Sequence, residues 1–201
     1  MKNLQKTLCL LCIVIIFSCK KEEADDPNIE YASYNTNLAY IRNEENYKSF
    51  DVNNDAIDDI SIIIKSVTDG DIEDLKIATS AALNNNLLHV AYNKEMIEPG
   101  LRSLAEAYSN GETINSVSSD FIDNDGVNLD LLRTVESPYK EGHFHGSGDK
   151  FIGFRFKPTE TSAGFYFAWL RVNISADFKT IKIIDGASQK IADTLIIAGA
   201  K

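Results

Sequence analysis

Hydrophobic and polar positions along this 201-residue chain fall mostly into short runs with a period of two. Successive side chains of a strand leave opposite faces, so that period predicts strands. Asn37–Arg42 alternates around Leu38 and Tyr40, and Ile60-Ser61-Ile62-Ile63-Ile64-Lys65 is a β-branched run bounded by acidic turns. Asn86–Tyr92 sets Leu88, Val90 and Tyr92 against Leu87, His89 and Ala91, and Phe151–Phe156 places Ile152, Phe154 and Phe156 on one face. Gly164–Ile174 carries Phe165, Phe167 and Trp169 opposite Tyr166, Ala168, Leu170 and Val172. A run apolar on both faces predicts a central strand, and it makes Phe165–Trp169 core before it makes those rings a sugar-stacking surface. Ser175-Ala176-Asp177-Phe178 then turns the chain into Lys179–Ile184, a predicted hairpin, and Leu195–Ala198 reads as a last strand.

One segment has the other period. Pro99–Tyr108 spaces Leu101, Leu104, Ala105 and Tyr108 at i, i+3, i+4 and i+7, with Gly111 beyond as a stop, which predicts a helix of two to three turns. Many short strands with turn residues between them, and one short helix, predict an all-β fold: an antiparallel β-sandwich over residues 36–201.

The N-terminus is organised differently. Lys2 and Lys6 precede an apolar run from Leu8 to Phe17, and Ile16-Phe17-Ser18-Cys19 leads at once into Lys20-Lys21-Glu22-Glu23. A basic start and a short apolar run are a signal peptide's parts, and about ten apolar residues are too few to span a bilayer. The end of the run resembles the lipobox of bacterial lipoproteins, which implies cleavage after residue 18 and lipidation of Cys19. Residues 1–18 are then a signal peptide and residues 19–35 a lipidated cysteine with a flexible acidic tether. Lys20–Asp26 is similar to the lysine-then-acid export signals of lipoproteins that reach the outer face of the outer membrane, and reads equally as a solvated leader. Cys9, Cys12 and Cys19 are the three cysteines, so no disulfide framework can form in the body.

Removing residues 1–18 takes out Lys2 and Lys6 and no acid, which moves the net charge from −10 to −12. That balance argues against nucleic acid and against anionic lipid headgroups as partners, and fits a soluble surface module or one that collects cations. Asp51-Val52-Asn53-Asn54-Asp55-Ala56-Ile57-Asp58-Asp59 is the strongest cation candidate. Calcium takes six to eight oxygens, and side chains 1, 3 and 5 of a tight loop, a carbonyl at 7 and a carboxylate at 9 supply them. Here those are Asp51, Asn53, Asp55, the carbonyl of Ile57, and Asp59. The loop resembles the D-x-N-x-D-G-x-x-D repeats of dockerins, integrin-type repeats and thrombospondin-type calcium loops. Ala56 departs from the glycine of that pattern, and Ile62 stands where an EF-hand has its last glutamate. The alternative is an Asx-rich acidic turn before a strand.

Two weaker stretches read as loops. Asp120, Asp123-Asn124-Asp125-Gly126 and Asn128 echo the calcium spacing incompletely, and His143 with His145 lacks a third zinc or copper ligand. The chain contains no G-x-S-x-G, H-E-x-x-H, P-loop or G-x-G-x-x-G motif, and with thirty acids any chosen carboxylate pair carries no weight.

Phe151-Ile152-Gly153-Phe154-Arg155-Phe156, Ala168-Trp169-Leu170-Arg171-Val172, Ile181-Lys182-Ile183-Ile184-Asp185 and Ile196-Ile197-Ala198-Gly199, in this order after the aspartate loop, resemble an uncharacterised family of secreted and lipid-anchored bacterial β-domains. Similar domains occur among PEP-CTERM-type exported proteins. Phe167-Ala168 replaces the family's Tyr-Gly, and Gly186-Ala187-Ser188 stands where aromatics usually follow the aspartate. The resemblance implies a fold and an address and no activity. The expectation is an outer-membrane lipoprotein, facing the surface or the periplasm, whose calcium-stabilised β-sandwich binds a glycan or an envelope protein. A carbohydrate-active or other extracellular hydrolase is the alternative.

Overall fold

The computed structural model describes residues 25–69, 72–81, 88–97, 100–123, 129–135, 139–145, 148–159 and 161–201. Among them run fifteen strands: β1 (Ile29–Ala39), β2 (Glu45–Phe50), β3 (Ile60–Asp69), β4 (Ile72–Ala81), β5 (His89–Ile97), β6 (Gly100–Ala105), β7 (Ala107–Tyr108), β8 (Thr113–Ile114), β9 (Phe121–Asp123), β10 (Leu129–Val135), β11 (Tyr139–Glu141), β12 (Asp149–Phe156), β13 (Tyr166–Ile174), β14 (Thr180–Gln189) and β15 (Ile196–Ile197). Thirteen form one sheet along the path β1-β14-β13-β12-β5-β6-β10-β4-β3-β2, with β7, β9 and β11 pairing off it, while β8 and β15 pair separately. The ladders are antiparallel except between β6 and β10. The fold is all-β.

β5 carries the sheet from one half to the other, since His89 and Val90 pair with β12 whereas Tyr92–Ile97 pair with β6. The two halves share one core. Ile60, Ile62 and Ile64 of β3 and Leu129 and Leu131 of β10 belong to the same buried cluster as Ile152, Phe154 and Phe156 of β12 and Ala168, Leu170 and Val172 of β13. The two ends of the sheet, β1 and β2, also meet, through side chains. Tyr34 donates its hydroxyl to the Asp51 carbonyl at 2.5 Å and lays its ring 4.9 Å from Phe50, and Asn46 Nδ2 donates to the Ala39 carbonyl at 3.0 Å. The sandwich is thereby rolled nearly into a barrel, which shields its edge strands.

A second core lies on the outer face of β12–β14. Phe151, Phe167, Trp169 and Ala187 are buried there with Tyr108, Ile114 of β8, Ile196 of β15 and Ala198. This explains the two apolar faces of β13, which is hydrogen-bonded to β12 on one side and β14 on the other. Gly153 has a packing reason within this layer. A Cβ there would lie 2.6 Å from the ring of Tyr108, so only glycine lets that ring settle on β12.

Two expectations change, and part of a third lies outside the described residues. The helix expected over Pro99–Tyr108 is absent from its described residues, where Gly100–Ala105 is β6 and Ala107–Tyr108 is β7. Pairing of Ile97 with Gly100 through to Tyr92 with Ala105 builds a hairpin, and this cross-strand ladder overrides the local helical spacing. Leu104 and Ala105, neighbours in sequence, are both buried, which a strand between two layers allows. The first strand starts at Ile29, so residues 29–35 of the stretch expected as tether are strand. β5 starts at His89, and the Asn86–Leu87 part of the expected strand lies outside the described residues.

Candidate functional site

The loop between β2 and β3 is built by its own acids. Asp51 Oδ1 accepts from the N–H groups of Asn53 (3.2 Å) and Asp55 (3.3 Å), and Asp51 Oδ2 accepts from that of Ala56 (2.8 Å). Asn53 Oδ1 accepts from the Asp55 N–H at 3.0 Å, and Asp55 Oδ1 from the Ile57 N–H at 2.8 Å. Asp59, buried at the loop's end, accepts the Val52 N–H at 2.9 Å, and its own N–H donates to the Phe50 carbonyl at 2.9 Å. Short Asx side chains at alternate positions thus replace the ladder bonds that the backbone gives up in turning.

Asn54 and Ala56 take left-handed conformations, with φ of 56° and 69°. Position six of the loop therefore makes the sharp turn that calcium loops give to glycine, and alanine bears the steric cost of about 1–2 kcal/mol. Ala56→Gly is expected to raise stability by about 0.5–1 kcal/mol once glycine's greater freedom in the unfolded chain is subtracted. Thermal melts of the two proteins check this, and a lower melting temperature for the glycine variant would contradict a left-handed residue 56.

The loop's oxygens are of the type that a hard cation takes, and the turn has the required bend. Its carboxylates, however, face the loop's amides, and Asn53 Nδ2 also donates to Asp55 Oδ2 at 3.0 Å. Among the described residues no group of three or more His, Cys, Asp or Glu side chains is gathered closely enough to hold a metal ion. The loop is nonetheless tied to its surroundings. Burial, then the charges of Asp51, Asp59 and Asp58, push the Tyr34 hydroxyl above its ordinary pKa, which keeps it a donor to the Asp51 carbonyl. Asn54 Nδ2 donates to Glu30 Oε1 at 2.7 Å, and this bond and Lys190 lower the Glu30 carboxyl. Lys190 Nζ is 3.0 Å from Glu30 Oε2 and reaches the Pro27 carbonyl at 3.3 Å, while the Asp26 N–H donates to the Lys201 carbonyl at 2.7 Å. The aspartate loop, the start of the body and Lys201 therefore lie at one end of the sheet.

The other candidates stay apart from this loop. His143 is half-buried and His145 exposed on either side of the buried Phe144. Asp123 closes β9, and Asn124, Asp125, Gly126 and Asn128 lie outside the described residues, as does Cys19. Two clusters were not legible in the sequence, because each joins residues far apart in the chain. On the outer face Arg171 and Tyr31 converge on Asp185, and near the end of β12 Arg155 lies between the rings of Phe121 and Phe165. The only local signal was a charged residue alternating with core residues in an otherwise apolar strand. No family model, curated protein or solved structure matches this chain.

Proposed function

We propose that the chain is an outer-membrane lipoprotein, held by lipid on Cys19, whose all-β body is a binding or accessory module facing the cell surface or the periplasm. The observation that carries this reading is positional. Cys19 ends the apolar leader and stands ten positions before the first strand at Ile29. Ten residues span at most about 33–36 Å, so a lipid on Cys19 would keep the body within a short reach of the bilayer. A single acyl chain is a marginal anchor at about 0.8 kcal/mol per buried methylene, whereas the several chains of a bacterial lipoprotein make attachment durable. Thioether formation needs the sulfur, so Cys19→Ala is expected to move the protein from the detergent phase to the aqueous phase, or to leave it unprocessed. Equal partitioning of the two proteins would sink the reading.

Calcium at Asp51, Asn53, Asp55, the Ile57 carbonyl and Asp59 is the second part of the proposal. Its support is the bend at Ala56 together with the half-buried or exposed setting of Asn53 and Asp55, whose side chains turn toward a cation at little packing cost. A cation must compete with the amides that now hold these oxygens, so the affinity belongs with the weak extracellular modules, at roughly 10⁻⁴–10⁻³ M. A ligand bound by the folded state alone stabilises it by about 2.7 kcal/mol at a hundredfold excess over Kd. Saturating calcium is expected to raise the melting temperature by several degrees over chelator, magnesium by much less, and Asp55→Ala to remove the increment. Identical melts in calcium and chelator would leave an acidic turn that needs no metal.

A further inference from the structure

Arg155 projects from β12 on the face opposite Phe154 and Phe156. Its guanidinium carbon lies 4.2 Å from the ring centre of Phe165 and 4.8 Å from that of Phe121, so two aromatic rings flank it. Nη2 is 3.2 Å from His89 Nδ1, and the His89 ring is 4.9 Å from that of Phe165. Lys157 brings a second cation to the same ring at 4.9 Å. The Nε of Arg155 is buried and has no hydrogen-bond partner among the described residues.

Acids outnumber Lys and Arg by 30 to 20, yet among the described residues no carboxylate makes ion-pair contact with Arg155 or Lys157. Among the described residues, the charge of Asp193 favours the protonated guanidinium, against the larger effect of burial, which lowers the Arg155 pKa. Its Oδ1 already accepts the Phe165 N–H at 3.0 Å. Arg171, on the same strand system, shows what a half-buried guanidinium ordinarily does here, since it binds Asp185 through two nitrogens. Arg155 has the rings and the desolvation without the anion.

We propose that this end of β12 is a binding site for an oxyanion, a carboxylate or phosphate group carried by a ligand, with Arg155 as the first contact and Lys157 as the second charge. Rings beside the guanidinium fix its plane, and its edge is where the N–H donors point. Those in-plane donors match the two oxygens of a carboxylate or phosphate, and a side chain already held in place loses less entropy on binding. His89, accepting at Nδ1, holds the guanidinium's rotation. The site does not depend on lipidation of Cys19. It does lie at the same end of the sheet as the start of the body, because Glu30, Ser188, Ala168, Phe154 and Val90 form one transverse row across five strands. Three strand spacings of about 4.8 Å separate β1 from β12. A soluble anion and a phosphate headgroup are therefore both sources to be tested.

The purified chain is titrated with sodium phosphate and sodium glucuronate against sodium chloride at matched ionic strength, and the Arg155 Nε–H resonance is followed. That signal sits between two rings, and a bound oxyanion is expected to move it saturably, with chloride producing no saturation. Arg155→Lys keeps the charge but loses the fork, and is expected to weaken binding roughly tenfold or more. Lys157→Gln, at a partly exposed position that leaves the aromatic stack in place, is expected to weaken it several-fold with an unchanged melt. Sedimentation with phosphatidylglycerol and with phosphatidylcholine vesicles separates the sources. Anionic-vesicle binding that free phosphate competes and Lys157→Gln loses places the oxyanion on a headgroup, and saturable phosphate or glucuronate binding without vesicle binding places it on a soluble ligand. Equal responses to chloride and both oxyanions, or Arg155→Lys binding as well as the parent, would overturn the site.

Discussion

Asp185→Ala is expected to lower the unfolding free energy by about 3–5 kcal/mol, the loss seen when one partner of a buried charge pair is removed. Asp185 is 1% exposed and stands directly across the β13–β14 ladder from Arg171. Arg171 Nε donates to Oδ1 at 2.8 Å, its Nη2 donates to Oδ2, and the Tyr31 hydroxyl donates to Oδ2 at 2.8 Å. Lys201 Nζ is 3.9 Å from the same oxygen. Burial alone would lower the Arg171 pKa, but the hydrogen bonds and charge of Asp185 outweigh it and raise it. Alanine would leave a guanidinium and a phenol without their acceptor. Arg171 keeps a looser contact with Asp149 at 3.7 Å and is itself 28% exposed, which favours the lower end of the range. Asp185→Asn retains an acceptor oxygen and is expected to lose less. Urea unfolding at constant m-value measures both, and against a typical stability of about 5–15 kcal/mol an alanine variant within 1 kcal/mol of the parent would show the network to be dispensable.

Legibility in the sequence followed burial. β3, β12, β13 and β14 could be read because their alternation matches a sheet with fixed inside and outside, and a one-residue slip would exchange the faces. β10 could not, since Leu131 and Leu132 are adjacent and both buried where the register with β4 shifts between Asp130 and Leu132. The first part of β1, before Asn37, was hidden in the same way. The strand's register shifts between Ser33 and Thr36, Asn35 takes a φ of 47°, and only Ile29 and Leu38 of its eleven residues are buried. The helical spacing at Leu104, Ala105 and Tyr108 arises where Ala105 of β6 is buried in the shared core and Tyr108 of β7 in the outer one. Local chemistry was readable where it is local: the aspartates at alternate positions do build the loop between β2 and β3, although Ala56 adopts glycine's conformation against its own preference. Arg155 was not readable as a site. Its partners come from β5, β9 and the residue before β13, and nothing within a window of sequence joins them.

Trp169→Ala is expected to cost about 3–5 kcal/mol and to disable the outer layer first. The indole is fully buried in the second core, with its ring centre 5.2 Å from Phe151 at 81° and 6.4 Å from Tyr31. It forms the centre of the surface on which Ile114 of β8, Ile196 of β15 and Ala198 close. Alanine would open a cavity flanked by the Tyr31–Asp185 contact, and the short β8–β15 pair, with two ladder pairs and the backbone bonds of Ala198 to Gly111 and Glu112, depends on that packing. Trp169 Nε1 has no hydrogen-bond partner among the described residues, so the indole contributes shape rather than a polar contact. Trp169→Phe, which keeps an aromatic ring and removes that desolvated donor, is therefore expected to lose well under half as much. Trp169 is the single tryptophan, so its emission in the parent reports the outer layer while far-UV circular dichroism reports the whole sheet. Coincident transitions in the parent, and a sheet transition shifted to lower denaturant in Trp169→Ala, would mean that the two cores unfold together. A sheet transition unmoved by the alanine would mean that β8, β15 and the chain's last residues are an appendage, and the ion pair beneath them would have to hold that face alone.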